Sequence, residues 1–400
     1  MSLAWYSVWV VFVGAALAAC TDGSRLVSSV DIASIEDAKD LSNGDTTQGD
    51  TLLIEDDDAH SDTDVGPSPG TVAIVGATLL GTGDPAFEGR VATLLVDDGV
   101  ITAVTESVVA DASETLDLTG FWVTPAFIDS HVHLRYWDVA ADLLAAGVVA
   151  AVDLAAPPDF YVSDWAGLDV IGSGPMITAV TGYPTQTWGR DGYGRECATL
   201  DDAIAAVDDA FVRGARLIKI PFGAGPDFDD ELTRTTIEHA HSLGLPVVAH
   251  ALTKAATIRA AELGADVLGH TPVERLDDAA IALWSDRVVI STVAAFGATP
   301  TTVDNLRRLH QAGTKVLYGT DLGNNRVAGI DPRELGLMTD AGLDFAAILA
   351  SATSSASDVW GFPDYGGLTP GKAAILLVYA RDPREDPTVL ASPVEVLDMR

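Results

Sequence analysis

Val123–Thr124–Pro125–Ala126–Phe127–Ile128–Asp129–Ser130–His131–Val132–His133–Leu134 is an apolar run that ends in two histidines two residues apart. On a β-strand alternate side chains share a face, so His131 and His133 point the same way. Two imidazoles side by side at a strand end make half of a metal site. Taken alone, the pair reads equally well as two polar residues closing a strand. The chain beyond them decides between the two readings.

Four later apolar runs carry further candidates. Arg216–Ile220 holds Lys219, Pro246–His250 and Asp266–His270 each end in histidine, and Lys315–Asp321 ends in aspartate. Helix-like stretches separate most of them. Asp230–Leu243 opens with acids and stops before Gly244, Thr253–Leu263 before Gly264, and Thr302–Ala312 before Gly313, with Leu276–Ser285 on the same plan. Strands are predicted near 126–133, 148–154, 175–181, 215–220, 246–250, 266–270, 287–293 and 315–321. Alternating strand and helix predicts βαβ units and a parallel sheet. About eight units over about 250 residues is the plan of a (β/α)8 TIM barrel, whose ligands gather at the C-terminal strand ends. Four of the chain's eight histidines sit at such ends.

On these residues the chain resembles the amidohydrolase superfamily, in its imidazolonepropionase/prolidase-like branch. The motif Pro125…Asp129–Ser130–His131–Val132–His133 carries the likeness, with Lys219, His250, His270 and Gly319–Thr320–Asp321 in order. The tail Gly366–Gly367–Leu368–Thr369–Pro370–Gly371–Lys372 also matches a family signature. The likeness spans roughly residues 70–385. It departs at Ala126, where glycine is usual, and at Ala373–Ala374–Ile375–Leu376, where an Ala-Asp pair is usual.

The resemblance implies a role for each residue. His131, His133 and Asp321 would bind the more buried of two divalent metals, most fittingly zinc, and His250 and His270 the more exposed one. Lys219 would bridge them as a carbamate made with carbon dioxide; a single-metal site without the carbamate is the alternative. An ammonium is no metal ligand, and a charge inside an apolar strand is costly, so this lysine needs either chemical conversion or a partner. Snorkelling to the barrel mouth and pairing with Asp321 are its bland alternatives. A bound metal lowers the pKa of water to about 7, and Asp321 would serve as the catalytic proton shuttle. The expected reaction is hydrolysis of an amide or other C–N bond, in a cyclic amide or a dipeptide-like substrate. Ester, lactone or phosphotriester cleavage at the same site is the alternative chemistry. A non-catalytic binding lipoprotein is the alternative class.

The segment Thr181–Arg190 stands where the family often has a glycine-rich histidine turn, and it reads as a substrate wall or lid. Tyr183, Trp188, Arg190 and Arg195 are its candidates for recognition, with Tyr136 beside the strand-one histidines. An arginine there would pair a substrate carboxylate, and a tyrosine would polarise a carbonyl. An ordinary aromatic loop packed on the barrel is an equal reading.

Residues 70–124 and 366–400 read as flanking strands: Val72–Leu80, Val91–Val96, Val100–Val104, Ala373–Ala380 and Val394–Leu397. In the family such strands join in a small β-sandwich beside the barrel at 125–365. Gly81–Thr82–Gly83 is no dinucleotide motif, because it lacks the third glycine and a following helix.

Residues 1–20 read as an export signal, with Leu17–Ala18–Ala19–Cys20 as a bacterial lipobox, although no Lys or Arg precedes the apolar run. A lipidated Cys20 would anchor the protein to the cell-envelope membrane, at the periplasmic side or the surface; secretion or a single uncleaved anchor is the alternative. Residues 21–69, rich in Asp, Ser, Thr and Gly, read as a disordered acidic tether. Cys197 is then left as a lone thiol, read as structural. A formal charge of −35 argues against nucleic acid as a partner. The expected partner is a small-molecule substrate, and a homo-oligomer is compatible with the sequence.

Overall fold

Five strands open the computed structural model, which describes residues 70–107 and 112–400. They are β1 (Val72–Leu79), β2 (Val91–Asp97), β3 (Val100–Thr105), β4 (Glu114–Asp117) and β5 (Trp122–Pro125). The first three pair antiparallel as a meander. Asp98 and Gly99 turn β2 into β3 with φ of 48° and 75°. Two consecutive positive φ values suit a two-residue hairpin whose twist matches its strands. Glycine is also needed at 99 for space, since a Cβ there would stand 2.7 Å from the Arg400 backbone.

The next ten strands run β6 (Phe127–Val132), β7 (Val148–Asp153), β8 (Asp169–Gly172), β9 (Met176–Ala179), β10 (Gly194–Cys197), β11 (Ile218–Phe222), β12 (Val247–Ala251), β13 (Val267–Leu268), β14 (Val288–Ile290) and β15 (Lys315–Leu317). All pair parallel, in three groups: β6-β7-β8, β9-β10 and β11 through β15 in order. β6, β7, β11 and β12 are buried along their whole length. That is the pattern of parallel strands covered on both faces. Backbone bonds lead from the last strand region to the first: Ser130 N–H donates to Tyr318 O (3.0 Å) and His133 N–H to Leu322 O (2.7 Å).

Helices fill the connections: α1 (Ala140–Ala145), α2 (Leu200–Val212), α3 (Asp230–Ser242), α4 (Lys254–Leu263), α5 (Asp278–Ala282) and α6 (Pro300–Gln311). Thr199, Asp229, Thr253, Asp277 and Thr299 each cap one of the last five, accepting the backbone N–H three residues on. Each such cap is worth about 1 kcal/mol. After α7 (Pro332–Asp340), α8 (Phe345–Ala352) and α9 (Ser354–Trp360) the chain returns as β16 (Ile375–Tyr379) and β17 (Glu395–Asp398). These join the opening strands in one seven-stranded sheet, ordered β17-β16-β5-β1-β2-β3 with β4 on β1. Ile74, Leu94, Ile101, Leu376 and Val378 form a core of its own. Strands from both ends of the sequence therefore meet in one sheet, as expected; a second sheet facing it is not resolved as such among the described residues.

Three elements differ from the sequence expectation. The strand expected at 175–181 forms as β9, but the one that pairs beside β7 is an unexpected strand, Asp169–Gly172. Gly172 ends it against the Phe160 ring, where a Cβ would stand 2.5 Å away. Met176–Ala179 then pairs with β10, a strand the alternation did not reveal. The helix expected over Leu276–Ser285 shrinks to Asp278–Ala282, because Asp277 caps it. The lipobox and tether, residues 1–69, lie outside the described residues. No helix among the described residues is long and apolar enough to cross a membrane.

Candidate metal centre

Six side chains meet at the C-terminal ends of the parallel strands. His131 lies in β6 and His133 just beyond it, Lys219 in β11 and His250 in β12, while His270 and Asp321 follow β13 and β15. All six are buried. Ligand atoms of His131, His133 and Asp321 lie within 4.8 Å of one another. Asp321 Oδ1 is 3.1 Å from His133 Nε2 and 3.5 Å from His131 Nε2.

Backbone carbonyls set the tautomers. His131 Nδ1 lies 2.7 Å from Gly269 O, and His133 Nδ1 lies 3.3 Å from Ala155 O. A carbonyl only accepts, so Nδ1 carries a proton in each, and Nε2 is the nitrogen turned toward Asp321. Asp321 sits at φ 53°, a strained conformation for a residue with a Cβ. A turn holds it there, for its carbonyl accepts from the Asn324 and Asn325 N–H groups. The Asn324 side-chain amide donates to both carboxylate oxygens.

Behind these ligands lies Asp129, a residue of the opening motif with no role assigned from sequence. Its carboxylate accepts from His131 N–H (3.0 Å), Thr320 N–H (3.1 Å) and Thr320 Oγ1–H (2.5 Å). It thereby ties the first strand to the loop that carries Asp321. Burial pushes its carboxyl up to about 7.

His250 and His270 stand beside this cluster with ring centroids 5.0 Å apart, and the His270 ring is 4.5 Å from that of His131. His270 Nδ1 meets Thr292 Oγ1 at 3.1 Å, and Phe296 packs edge-on against its ring. Lys219 is fully buried, and its Nζ finds no hydrogen-bond partner among the described residues. It neither snorkels nor pairs with Asp321. Gly269 leaves it room, since a Cβ there would stand 2.5 Å from Nζ.

Burial pushes Lys219 down to about 7, against the opposing pull of Asp321 and Asp153. It pushes His250 down to about 3, and His131 and His270 well below the ordinary histidine range. Burial alone would raise Asp321, but His131, His133 and Asn324 hold it below the usual carboxylate range. The centre thus offers neutral imidazoles, an ionised carboxylate and a lysine that readily gives up its proton. His131 Nε2 is likewise buried without a hydrogen-bond partner. Neutral imidazole and carboxylate are the donors a divalent metal takes, so the residues present fit one.

The aromatic candidates reach this centre. Tyr183 stacks on His250 at 4.6 Å, Trp188 packs edge-on against His133 at 5.2 Å, and Tyr136 touches Trp188 at 5.8 Å. The Trp188 Nε1–H donates to the Tyr183 hydroxyl (2.8 Å), and burial pushes that phenol up to about 12. The two arginine candidates are elsewhere. Arg195 pairs with Asp209 on α2, and the exposed Arg190 turns to the Gln186 carbonyl. An acidic helix beside β10, invisible without the strand, captured the first. Cys197 is buried, and its thiol is pushed up to about 11.

The model of the amidohydrolase family matches residues 122–399. This chain belongs to the amidohydrolase family. It is a hydrolase acting on carbon–nitrogen bonds. Among relatives of this amidohydrolase, an uncharacterized protein of Mycobacterium tuberculosis is 25% identical over 332 residues, 71% of this chain and 85% of that protein. A Xaa-Pro dipeptidase solved with methionine in its active site superposes with a TM-score of 0.70 at 19% identity, over 82% of this chain and 98% of that one. Phenylurea hydrolase B superposes with a TM-score of 0.68 at 20% identity, over 82% and 96%. At such identities the two structures speak for the fold alone.

Proposed function

We propose an exported, metal-dependent amidohydrolase that cleaves the C–N bond of a dipeptide-like or cyclic amide substrate, on a (β/α)8 barrel. The observation that carries this reading is the His131–His133–Asp321 cluster beside a buried, partnerless Lys219. His131, His133 and Asp321 would hold one divalent ion, most fittingly zinc, and His250 and His270 a second, with Lys219 between them as its carbamate. Bound there, a divalent ion supplies Lewis acidity and a water acidified to a pKa of about 7.

The chain's own residues do the rest. Asp321, ionised at neutral pH, takes the proton of the attacking water and returns it to the leaving nitrogen. Asn324 keeps both its oxygens oriented. Tyr183 stays a neutral phenol, and because Trp188 donates to its oxygen, its own hydrogen is free for the oxygen on which negative charge develops. Trp188 and Tyr136 wall the site from solvent. The neutral Lys219 amine attacks carbon dioxide, forming the N–C bond of a carbamate and releasing one proton.

Leu17–Cys20 and the acidic stretch after it support export and tethering through a lipidated Cys20. Mass spectrometry of the mature N-terminus tests that part. A screen of dipeptides and cyclic amides with the zinc-loaded full chain tests the chemistry. Cleavage lost in Asp321→Asn by about 1,000-fold is the expected outcome. Full activity in that variant overturns the assignment.

A further inference from the structure

Of the arginines expected to meet a substrate carboxylate, Arg195 is taken by Asp209 and Arg190 reaches only the Gln186 carbonyl at 3.5 Å; another guanidinium stands beside the aromatic wall. Arg326 follows Asp321 by five residues, in the loop beyond β15. Its guanidinium lies over the ring of Tyr136 (5.6 Å) and over that of Trp137 (5.0 Å). It is exposed, and no carboxylate pairs with it among the described residues. Arg135 is already paired with Asp159.

The loop that carries Arg326 is pressed against the metal ligands. A Cβ on Gly323 would stand 2.9 Å from the Cβ of His133 and 3.6 Å from the Tyr136 ring. From Arg326 the contacts run to Tyr136, then to Trp188, then to His133. A cleft of about 450 Å³ opens along Tyr136 and Trp188; its own charged groups are Arg135, Asp159 and Asp191, and Arg326 stands outside its lining, over the Tyr136 ring. With its centre over the Tyr136 and Trp137 rings and no carboxylate on it among the described residues, the guanidinium keeps N–H groups able to meet a carboxylate in two parallel bonds. In a chain of net charge −35, an anionic substrate is repelled by most of the surface and needs a local cation.

We propose that Arg326 is the specificity residue that binds a free carboxylate on the substrate, so that the enzyme prefers amides of amino acids carrying an unblocked carboxyl group. This rests on the hydrolytic reading above and narrows its substrate class.

Titration calorimetry on the zinc-loaded full chain tests it, with N-acetyl-L-phenylalanine and its C-terminal carboxamide as matched probes. The wild-type chain binds the acid about 10–100-fold more tightly, the range of a charge-assisted pair. Arg326→Leu brings the acid-to-amide ratio close to one. Arg326→Lys keeps the charge and loses the fork, so its ratio falls between. A ratio unchanged in Arg326→Leu puts the carboxylate on the histidine–aspartate cluster and overturns the proposal, as does a wild-type chain without preference. An Arg326-dependent preference in a chain that cleaves no amide supports Arg326 and overturns the hydrolytic reading instead.

Discussion

The two sides of the centre are built by different means. On one side His131, His133 and Asp321 are fixed by backbone: two carbonyls hold the imidazoles, a turn holds the strained aspartate, and Asp129 knits the two segments together. On the other side His250 and His270 are fixed by rings, Tyr183 and Phe296, and by one hydroxyl, Thr292. Lys219 adds a buried amine with no hydrogen-bond partner among the described residues. The first side is organised before any ion arrives. On the proposed carbamate reading, the second would be complete only once Lys219 has become an anion.

That contrast is broken most severely by paired histidine variants. His131→Asn is expected to abolish hydrolysis and to leave the chain without tightly held metal, whereas His250→Asn keeps about one ion. Metal analysis of the two purified variants checks it. Equal losses would show that the sides are one cooperative unit. Next in size is Lys219→Ala, which is expected to lower the content from two ions to one and to make it indifferent to added bicarbonate. Two ions retained in Lys219→Ala would dismiss the carbamate.

The sequence was most legible where strand periodicity did the work. Apolar runs ending in His or Asp place five of the six candidate ligands, because a strand end fixes direction and the parallel sheet brings the ends together. Lys219 stood out because an apolar strand has no place for an unpaired ammonium. What failed were loops and partners. Arg195 looked free until β10 set it beside Asp209. Arg326 had no reading from sequence, since nothing local says that its guanidinium will lie over Tyr136 and Trp137, some 190 residues earlier. Gly172 ended a strand through its contact with Phe160, another long-range fact. Asp129 was within the quoted motif, yet its bond to Thr320 depends on the first and last strands becoming neighbours.

Buried carboxylates sharpen the comparison at lower amplitude. Both sides have buried carboxylates that grip backbone N–H groups, among them Asp129 and Glu334. Asp129 serves the first side, so Asp129→Asn, which turns an acceptor into a donor facing donors, is expected to weaken metal binding by about 10–100-fold. Competition with a metal-sensitive dye measures it; unchanged affinity would mean the turn at Asp321 suffices without the knot.

Glu334 serves the second side. It accepts from Val293 N–H (2.9 Å) and Ala294 N–H (2.7 Å), just past the Thr292 that holds His270. It touches no ligand, so Glu334→Gln is expected to keep both ions and cost about 1–3 kcal/mol of stability, the price of one unsatisfied buried group. Burial pushes its carboxyl from 4.5 up to about 7. A group raised on folding stabilises fully below its unfolded value, and that contribution is lost as pH rises through the folded one. The thermal midpoint of the wild-type chain should therefore fall as pH rises from 4.5 through about 7, and the slope should flatten in Glu334→Gln. An identical slope in both would mean that the two N–H groups hold Glu334 ionised throughout. The second side would then be as firmly anchored as the first, and the contrast between them would rest on Lys219 alone.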